Sequence, residues 1–379
     1  MVVLVDYRPA LRQRTGVGEY VHEMLAALSR RNNGHELHLF TSSFKDRLDP
    51  DVGADLRGVQ AHDLRIPGRV LNWTWHRLEW PAVERLVPAR PDVVHSAHPL
   101  LMPTTGAAQV VTIHDLDFLD HPERTSAEIR RDYGVLVHEH ARRADAVLTS
   151  SRHSAAAIVE RLGVPTERVA VCPPGPPRWT AGPRERARPS DGYILFVGTL
   201  SARKNIGTLL DAYERLVLRR SDTPPLRLAG ARTPAASAWL ARIAQPPFTG
   251  RAEYVGYVPD AGRRRLFEGA SLVVMPSWHE GFGLPALEAM ALGIPVVAAR
   301  AGALPEVVGD AGILFDPSDA DALADAIERL LNDSQLATAC LAAGLARTAA
   351  WSWDQAAERV LGMYADAAAR RAERDAHRR

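Results

Sequence analysis

Leu272-Val273-Val274-Met275-Pro276-Ser277-Trp278-His279-Glu280-Gly281-Phe282-Gly283-Leu284-Pro285-Ala286-Leu287-Glu288 holds three kinds of local signal in one run. Leu272–Pro276 is apolar and strand-length, the next residues form a polar turn with two glycines, and Pro285–Leu292 has helix composition with its proline in the first turn. A buried strand that feeds a helix through a tight turn is the building unit of a doubly wound parallel sheet. Working outward, the unit recurs. Tyr193–Val197, Leu226–Ala229, Ala252–Val255 and Pro295–Ala298 read as strands, and Ile206–Leu218, Asp260–Glu268 and Ala320–Leu331 as helices. Nearer the start, Val2–Val5, Leu37–Phe40, Val93–His95, Gln109–Ile113, Ala146–Thr149 and Val169–Cys172 read as strands. Val17–Arg30, with apolar Val17, Val21, Met24, Leu25 and Leu28, and Ser151–Leu162 read as helices.

The alternation stops around Pro173–Asp191, a Pro-, Gly- and Arg-rich stretch that reads as a linker. The expected fold is therefore α/β, with two doubly wound Rossmann-like domains, residues 1–180 and 190–350, facing a central cleft. The helical tail 351–379 is expected to pack back on the first domain. Ligands of such sheets bind at the carboxyl ends of the strands, so a cleft between two of them is the natural site. The chain's 379 residues are long enough for a core in each half.

Charge excludes one class of partner. With 46 basic and 45 acidic residues the net charge is +1, which provides no bulk attraction for nucleic acid. Two distant cysteines, Cys172 and Cys340, make neither a metal motif nor a disulfide framework, which fits a reducing compartment. Met1–Asp6 lacks the basic start of a secretory signal, and the uncharged stretch Ser96–Ile113 is broken by Pro99, Pro103 and Gly106. The expected location is the cytoplasm, at most attached to a membrane face.

Four motifs carry chemistry. In the opening stretch, Gly281 and Gly283 let backbone approach a ligand, and the helix start at Leu284-Pro285 turns its N–H groups and positive dipole end toward it. Glu280 and Glu288, on either side of that turn, can grip hydroxyls at two ends of an elongated ligand; a helix-dipole glutamate and a solvated one are the bland alternative. Gly198-Thr199-Leu200-Ser201-Ala202-Arg203-Lys204-Asn205 follows a strand and places two cations at a helix start, where bases are disfavoured unless an anion is received. Thr15-Gly16-Val17-Gly18 is a glycine turn between first strand and first helix, without the third glycine of a dinucleotide fingerprint. Val110–Ile113 is a buried strand that ends in His114-Asp115.

Together, Glu280-x7-Glu288, Arg203-Lys204-Asn205, the Gly16 turn and Ile113-His114-Asp115 resemble the family 4 retaining glycosyltransferases of GT-B fold, along nearly the whole chain and most densely over Tyr193–Leu331. The resemblance implies that Glu280 and His114 contact the donor sugar, Arg203 and Lys204 the diphosphate with the Gly16 amide nearby, and Glu288 the ribose. Gly281, Phe282, Gly283 and Leu284 would form the donor-binding turn, and Tyr257 and Val258 would line the base pocket. It implies transfer of a hexose from a nucleotide sugar, GDP-mannose preferred, to a glycan, lipid-linked or small-molecule acceptor, with no cofactor or metal. Thr199 stands where some relatives carry another arginine.

Other readings compete. Asp49-Pro50-Asp51, Asp115-Leu116-Asp117 and Asp319-Ala320-Asp321 have the spacing of a metal-dependent transferase, with helix capping as the alternative for the first and last. A dinucleotide oxidoreductase lacks its glycine fingerprint. A nucleotide-sugar epimerase of the same fold and a non-catalytic sugar-nucleotide-binding module remain as alternatives. Val70–Trp80 carries Trp73, Trp75 and Trp80, either for packing or as an acceptor platform with Arg57, Arg65 and Arg69 nearby.

Overall fold

The computed structural model describes residues 1–377 apart from 12–13, 15, 32–33, 50–51, 126 and 181–191. Most of the expected linker, Thr15 of the glycine turn, Pro50 and Asp51 of the first Asp-x-Asp spacing, and Arg378-Arg379 lie outside the described residues. The chain divides into two compact units: unit 1 is Met1–Pro174 with Trp353–Arg379, and unit 2 is Gly175–Ser352.

In unit 1, seven strands pair in parallel: β1 (Val2–Asp6), β2 (Glu36–Ser42), β3 (Gln60–Leu64), β4 (Val93–Ser96), β5 (Ala108–Thr112), β6 (Ala146–Thr149) and β7 (Val169–Val171). Their order is β3-β2-β1-β4-β5-β6-β7. Helices α1 (Gly16–Arg30), α2 (Val52–Asp55), α3 (Gly68–Leu78), α4 (Asp117–Asp120), α5 (Ala127–Arg143) and α6 (Arg152–Leu162) lie between them. The central strands are unbroken apolar runs because helices cover both faces. The last helix, α14 (Trp353–His377), belongs to this unit: Trp353, Ala357, Val360 and Tyr364 share one core with Val3, Val5 and Leu25. Tyr364 also holds His95 of β4 through a 2.7 Å hydrogen bond. Trp351 and Ser352, expected at the head of this helix, precede it.

Unit 2 repeats the plan with β8 (Tyr193–Val197), β9 (Leu226–Ala229), β10 (Ala252–Gly256), β11 (Ala270–Met275), β12 (Val296–Ala299) and β13 (Gly312–Phe315). All pair in parallel, in the order β10-β9-β8-β11-β12-β13. Its helices are α7 (Ile206–Arg219), α8 (Ala236–Ile243), α9 (Asp260–Glu268), α10 (Leu284–Ala291), α11 (Leu304–Val308), α12 (Ala320–Asn332) and α13 (Ser334–Ala349). A single apolar cluster runs through it, from Phe196 and Val274 in the sheet to Leu287, Leu323 and Cys340 in the helices. Both cysteines are buried and unbridged.

Strand β3, absent from the sequence reading, lies at a sheet edge and is half-buried at best, so Gln60-Ala61-His62-Asp63 carries no apolar run. Strand β13 and helices α3, α5, α8, α11 and α13 are further elements that the reading did not include. Gly16 also differs from expectation: it is the first helical residue of α1 rather than part of a preceding turn.

Candidate active site

In each sheet the chain's winding reverses between two neighbouring strands, β1 and β4 in unit 1 and β8 and β11 in unit 2. Loops leaving those strands diverge to opposite faces and open a crevice at the carboxyl ends.

In unit 2 the loops after β8 and β11 carry the two strongest sequence motifs, and they meet. Glu280 is buried, its Oε1 accepting from Lys204 Nζ at 2.5 Å and from Ser277 Oγ at 2.6 Å. Its Oε2 lies 3.5 Å from Arg203, whose guanidinium also donates to the His279 carbonyl at 3.0 Å. Burial alone would push the carboxyl up, but Lys204 and Arg203 outweigh it and hold the pKa at about 2, so Glu280 is an anion at any physiological pH. Main-chain bonds fix the same loop: Trp278 N–H donates to Arg203 O at 2.9 Å, and Ala303 N–H to Glu280 O at 2.9 Å. Asn205, in the left-handed region at φ 55°, ties α7 to both neighbours by donating to Pro276 O at 3.0 Å and Pro317 O at 2.8 Å.

Two glycines are required by this geometry. Gly302, at φ +56°, passes so close that a Cβ would sit 2.5 Å from the Glu280 carbonyl oxygen. Gly283, at φ +100°, caps α10, and a Cβ there would meet Leu304 at 2.7 Å. Gly281 is buried in the same turn, and Leu284 opens the helix half-buried against the core. Since Pro285 has no N–H, Gly283 and Leu284 amides form the donor end of α10. Phe282 is different: its ring is buried edge-on against Trp351 at 5.7 Å, so at the turn it presents backbone.

Glu288 lies on the fifth residue of α10, buried, with Arg263 of α9 at 2.6 Å from Oε1 and 2.8 Å from Oε2. Burial raises its carboxyl above the usual range, and Arg263 opposes that rise. Tyr257 and Val258 are half-buried on the loop between β10 and α9, so the expected base-pocket segment leads directly into the helix that holds Glu288. Ser277, Arg263 and Gly302 were missed from the sequence. Only Gly302, in the Ala301-Gly302-Ala303 loop after an apolar strand, left a local signal.

In unit 1, Gly16 and His114 are linked through Tyr20, one turn into α1. Its ring meets His114 edge-on at 5.2 Å, and its hydroxyl donates to Cys172 O at 2.9 Å. His114 follows β5; its Nε2 is buried with no hydrogen-bond partner among the described residues, and burial lowers the imidazole pKa to about 4. The ring is therefore neutral near pH 7, with one nitrogen left for a ligand.

The unit 1 switch point holds a further cluster. Asp6, fully buried at the end of β1, is chelated by Arg8 at 2.8 and 2.7 Å and lies 3.3 Å from His98, just beyond β4. Arg8 reaches on to Asn72 of α3 at 2.7 Å, which donates to Glu128 of α5 at 2.6 Å. Arg8 also lies over the Trp75 ring at 4.9 Å. Burial would raise the Asp6 carboxyl, but the Arg8 guanidinium, with the His98 hydrogen bond, keeps it far below the ordinary range.

The Asp-x-Asp spacings have local explanations. Asp319 caps α12 through Ala322 N–H at 2.9 Å, and Asp115 accepts from Asp117 N–H at 3.2 Å. Among the described residues no group of three or more His, Cys, Asp or Glu is placed to hold a metal ion.

Comparison with known proteins bears on these units. The family model described as "Glycosyl transferase 4-like domain" matches residues 15–175, and "Glycosyl transferases group 1" matches 191–333. O-antigen chain mannosyltransferase B of Escherichia coli is 30% identical over 383 residues, covering 96% of this chain and 99% of the relative. A D-inositol 3-phosphate glycosyltransferase of Xylanimonas cellulosilytica is 31% identical over 406 residues, covering 96% and 94%. Among solved structures, sucrose-phosphate synthase of Thermosynechococcus elongatus superposes with a TM-score of 0.78 at 22% identity, over 96% of this chain and 98% of that one. Anabaena HepE in complex with UDP and glucose superposes with a TM-score of 0.72 at 18% identity, over 96% and 99%. With two parallel α/β units, a basic-acidic cluster at the second unit's switch point and this degree of likeness to full-length transferases, the chain belongs to the family 4 glycosyltransferases of GT-B fold.

Proposed function

We propose that the chain transfers a hexose from a nucleoside-diphosphate sugar, GDP-mannose in preference, to a glycan, lipid-linked or small-molecule acceptor, with retention of anomeric configuration and without a metal. The observation that carries this reading is the Arg203–Lys204–Glu280 cluster at the β8/β11 switch point. An anion and two cations held together there match the two ends of the donor's reacting bond. Glu280 accepts hydrogen bonds from sugar hydroxyls, while Arg203 and Lys204 meet the diphosphate, whose charge grows as the bond to C1 breaks. Glu288 receives the ribose, the Tyr257-Val258 segment the base, and the amide end of α10 a phosphate or hydroxyl oxygen. In unit 1, His114 and the Gly16 amide are assigned a donor-binding role, and the carboxyl edge near Asp6, Arg8 and His98 an acceptor-binding one.

The acceptor oxygen forms its bond to C1 on the face the diphosphate leaves, and the departing phosphate oxygen takes the acceptor's proton. Two cations and a helix terminus supply the stabilisation that a metal gives elsewhere. The preference for mannose is supported by the likeness to O-antigen chain mannosyltransferase B of Escherichia coli.

A thermal-shift panel of GDP, UDP and ADP sugars tests the donor, since a ligand that binds only the native state raises the melting temperature. A larger shift with a UDP or ADP sugar than with GDP-mannose overturns the donor preference. Loss of transfer in EDTA, restored by magnesium or manganese, overturns metal independence, and an inverted product anomer overturns retention.

A further inference from the structure

Helix α11 has five residues, too few to be stable as an isolated helix. Both of its ends are nevertheless fixed, and the first of them touches the donor-binding turn. Ala303 N–H, just before the helix, donates to Glu280 O at 2.9 Å, and Gly302 lies against the same backbone. Leu304, its first residue, is fully buried and fills the space that a Cβ on Gly283 would need. Where α11 sits therefore decides where the main chain of Glu280 sits.

At the other end the carbonyls of the last turn need donors. Gly309 N–H serves Pro305 O at 3.1 Å, and Ala311 N–H serves Val308 O at 2.9 Å. The other two accept from one side chain: Arg347 of α13 donates from Nη2 to Glu306 O at 2.7 Å and from Nε to Val307 O at 3.1 Å. A forked cation suits a helix C-terminus, where it meets two carbonyls and the negative end of the dipole. Gly309 makes room for it. That residue has φ +52°, and a Cβ there would strike Arg347 Nη1 at 2.5 Å. The ion pair of Arg347 with Asp310, at 3.4 Å and with the carboxylate mostly exposed, adds little.

Arg347 also has a firm base. One turn earlier on α13, Gly344 packs on α10, where a Cβ would lie 3.2 Å from Met290 Cβ. Just beyond the helix, Trp351 meets Phe282 edge-on at 5.7 Å. The end of α13 thus braces the donor-binding turn at three points, through α10, α11 and Phe282, and Arg347 is the polar one.

We propose that Arg347 is a positioning residue for the transfer reaction. It holds α11, and through the bond from Ala303 to Glu280 it keeps Glu280 in register with the donor sugar. The proposal rests on the reading that Glu280 contacts that sugar.

The test compares R347M and E280Q with the parent for hydrolysis of GDP-mannose, or of UDP-glucose if that donor gives the larger thermal shift. Turnover is read well below each variant's melting temperature, and calorimetry with GDP or UDP gives the nucleotide affinity. R347M is expected to lose roughly tenfold in turnover, since an ångström of displacement can cost about a hundredfold, while its nucleotide affinity stays near the parent's. A merely structural cap would lower the melting temperature alone. R347M with the parent's turnover beside an impaired E280Q would therefore overturn the brace alone, as would equal losses of turnover and nucleotide affinity in R347M. E280Q with the parent's turnover would overturn the role of Glu280 and this proposal with it. If R347M fails to fold, R347K decides by the same readings, because it keeps the charge and loses the fork to two carbonyls.

Discussion

Acidification from pH 7.5 to pH 5 should open unit 1 and leave unit 2 folded. All but one of the chain's 14 histidines lie in unit 1, the exception being His279. Three of them are held neutral by burial: His95 at about 3, His114 at about 4 and His140 at about 4, against 6.5 in the unfolded chain. Their contacts agree. His95 is wedged between Tyr364 and Thr112 at 2.7 Å each, and His140 Nδ1 accepts from Leu101 N–H at 2.9 Å. Below pH 6.5 the unfolded chain takes up protons that the folded unit refuses until about pH 4, so stability falls across that window. At pH 5 the loss depends almost wholly on the unfolded value, about 2 kcal/mol for each histidine and about 6 kcal/mol for the three. A domain's stability is roughly 5–15 kcal/mol. Glu280, whose depressed carboxyl stabilises unit 2 above pH 4.5, keeps that contribution at pH 5 and loses it only as pH falls toward 2. Hydrogen exchange read by mass spectrometry, with exchange times scaled for the intrinsic rate, separates peptides of β1–β6 from those of β8–β13. Unchanged protection of unit 1 between pH 7.5 and pH 5, or equal loss in both units, would refute the reasoning.

Further outcomes follow from the site. Lys204→Met strands a buried carboxylate and should cost roughly 3–5 kcal/mol, while K204M/E280Q should cost clearly less than the sum of the single changes; additive urea midpoints would break the pairing argument. Arg263→Gln should weaken nucleoside diphosphate binding by roughly 1.5–3 kcal/mol and make it fall further as pH drops, because Glu288 then protonates more readily. Calorimetry at pH 6 and pH 8 checks this, and a pH-independent affinity in the variant would count against it. Gly302→Ala puts a Cβ into the Glu280 backbone at a positive φ and should cost roughly 1–3 kcal/mol together with most of the turnover. Parental melting and rate in that variant would show that Glu280 tolerates displacement.

The central strands could be read from sequence because burial on both faces forces an unbroken apolar run, as in Val2–Val5 and Leu272–Met275. Edge strand β3 escapes that pressure and left no pattern. Lys204 and Glu280 were each visible from local context, yet their contact across 76 positions comes from β8 lying beside β11, an order that no local periodicity encodes. For the same reason Arg263 and the Asp6–Arg8–His98 cluster went unseen, although an aspartate that ends a buried strand with an arginine two residues on is a usable signal. Phe282 shows what a motif leaves open: it was expected in the donor-binding turn, and the local pattern did not reveal that its ring packs on Trp351 and leaves the backbone at the turn. Glu280, expected in the turn before α10, is buried there among cations, so replacing it should disturb stability as well as chemistry.

Helix α14 gives the order of synthesis a consequence. Met1–Pro174 leaves the ribosome first, but the apolar stripe that closes its core, Trp353 through Ala367, is translated only after all of unit 2. During that interval Val3, Leu25 and His95 lack the covering that Val360 and Tyr364 later provide. Unit 2, contiguous in sequence, can finish while the earlier-made unit is still waiting for its last piece. A stop codon at Trp353 would therefore do its damage at the opposite end of the chain, in the unit made first, and leave the later-made one intact.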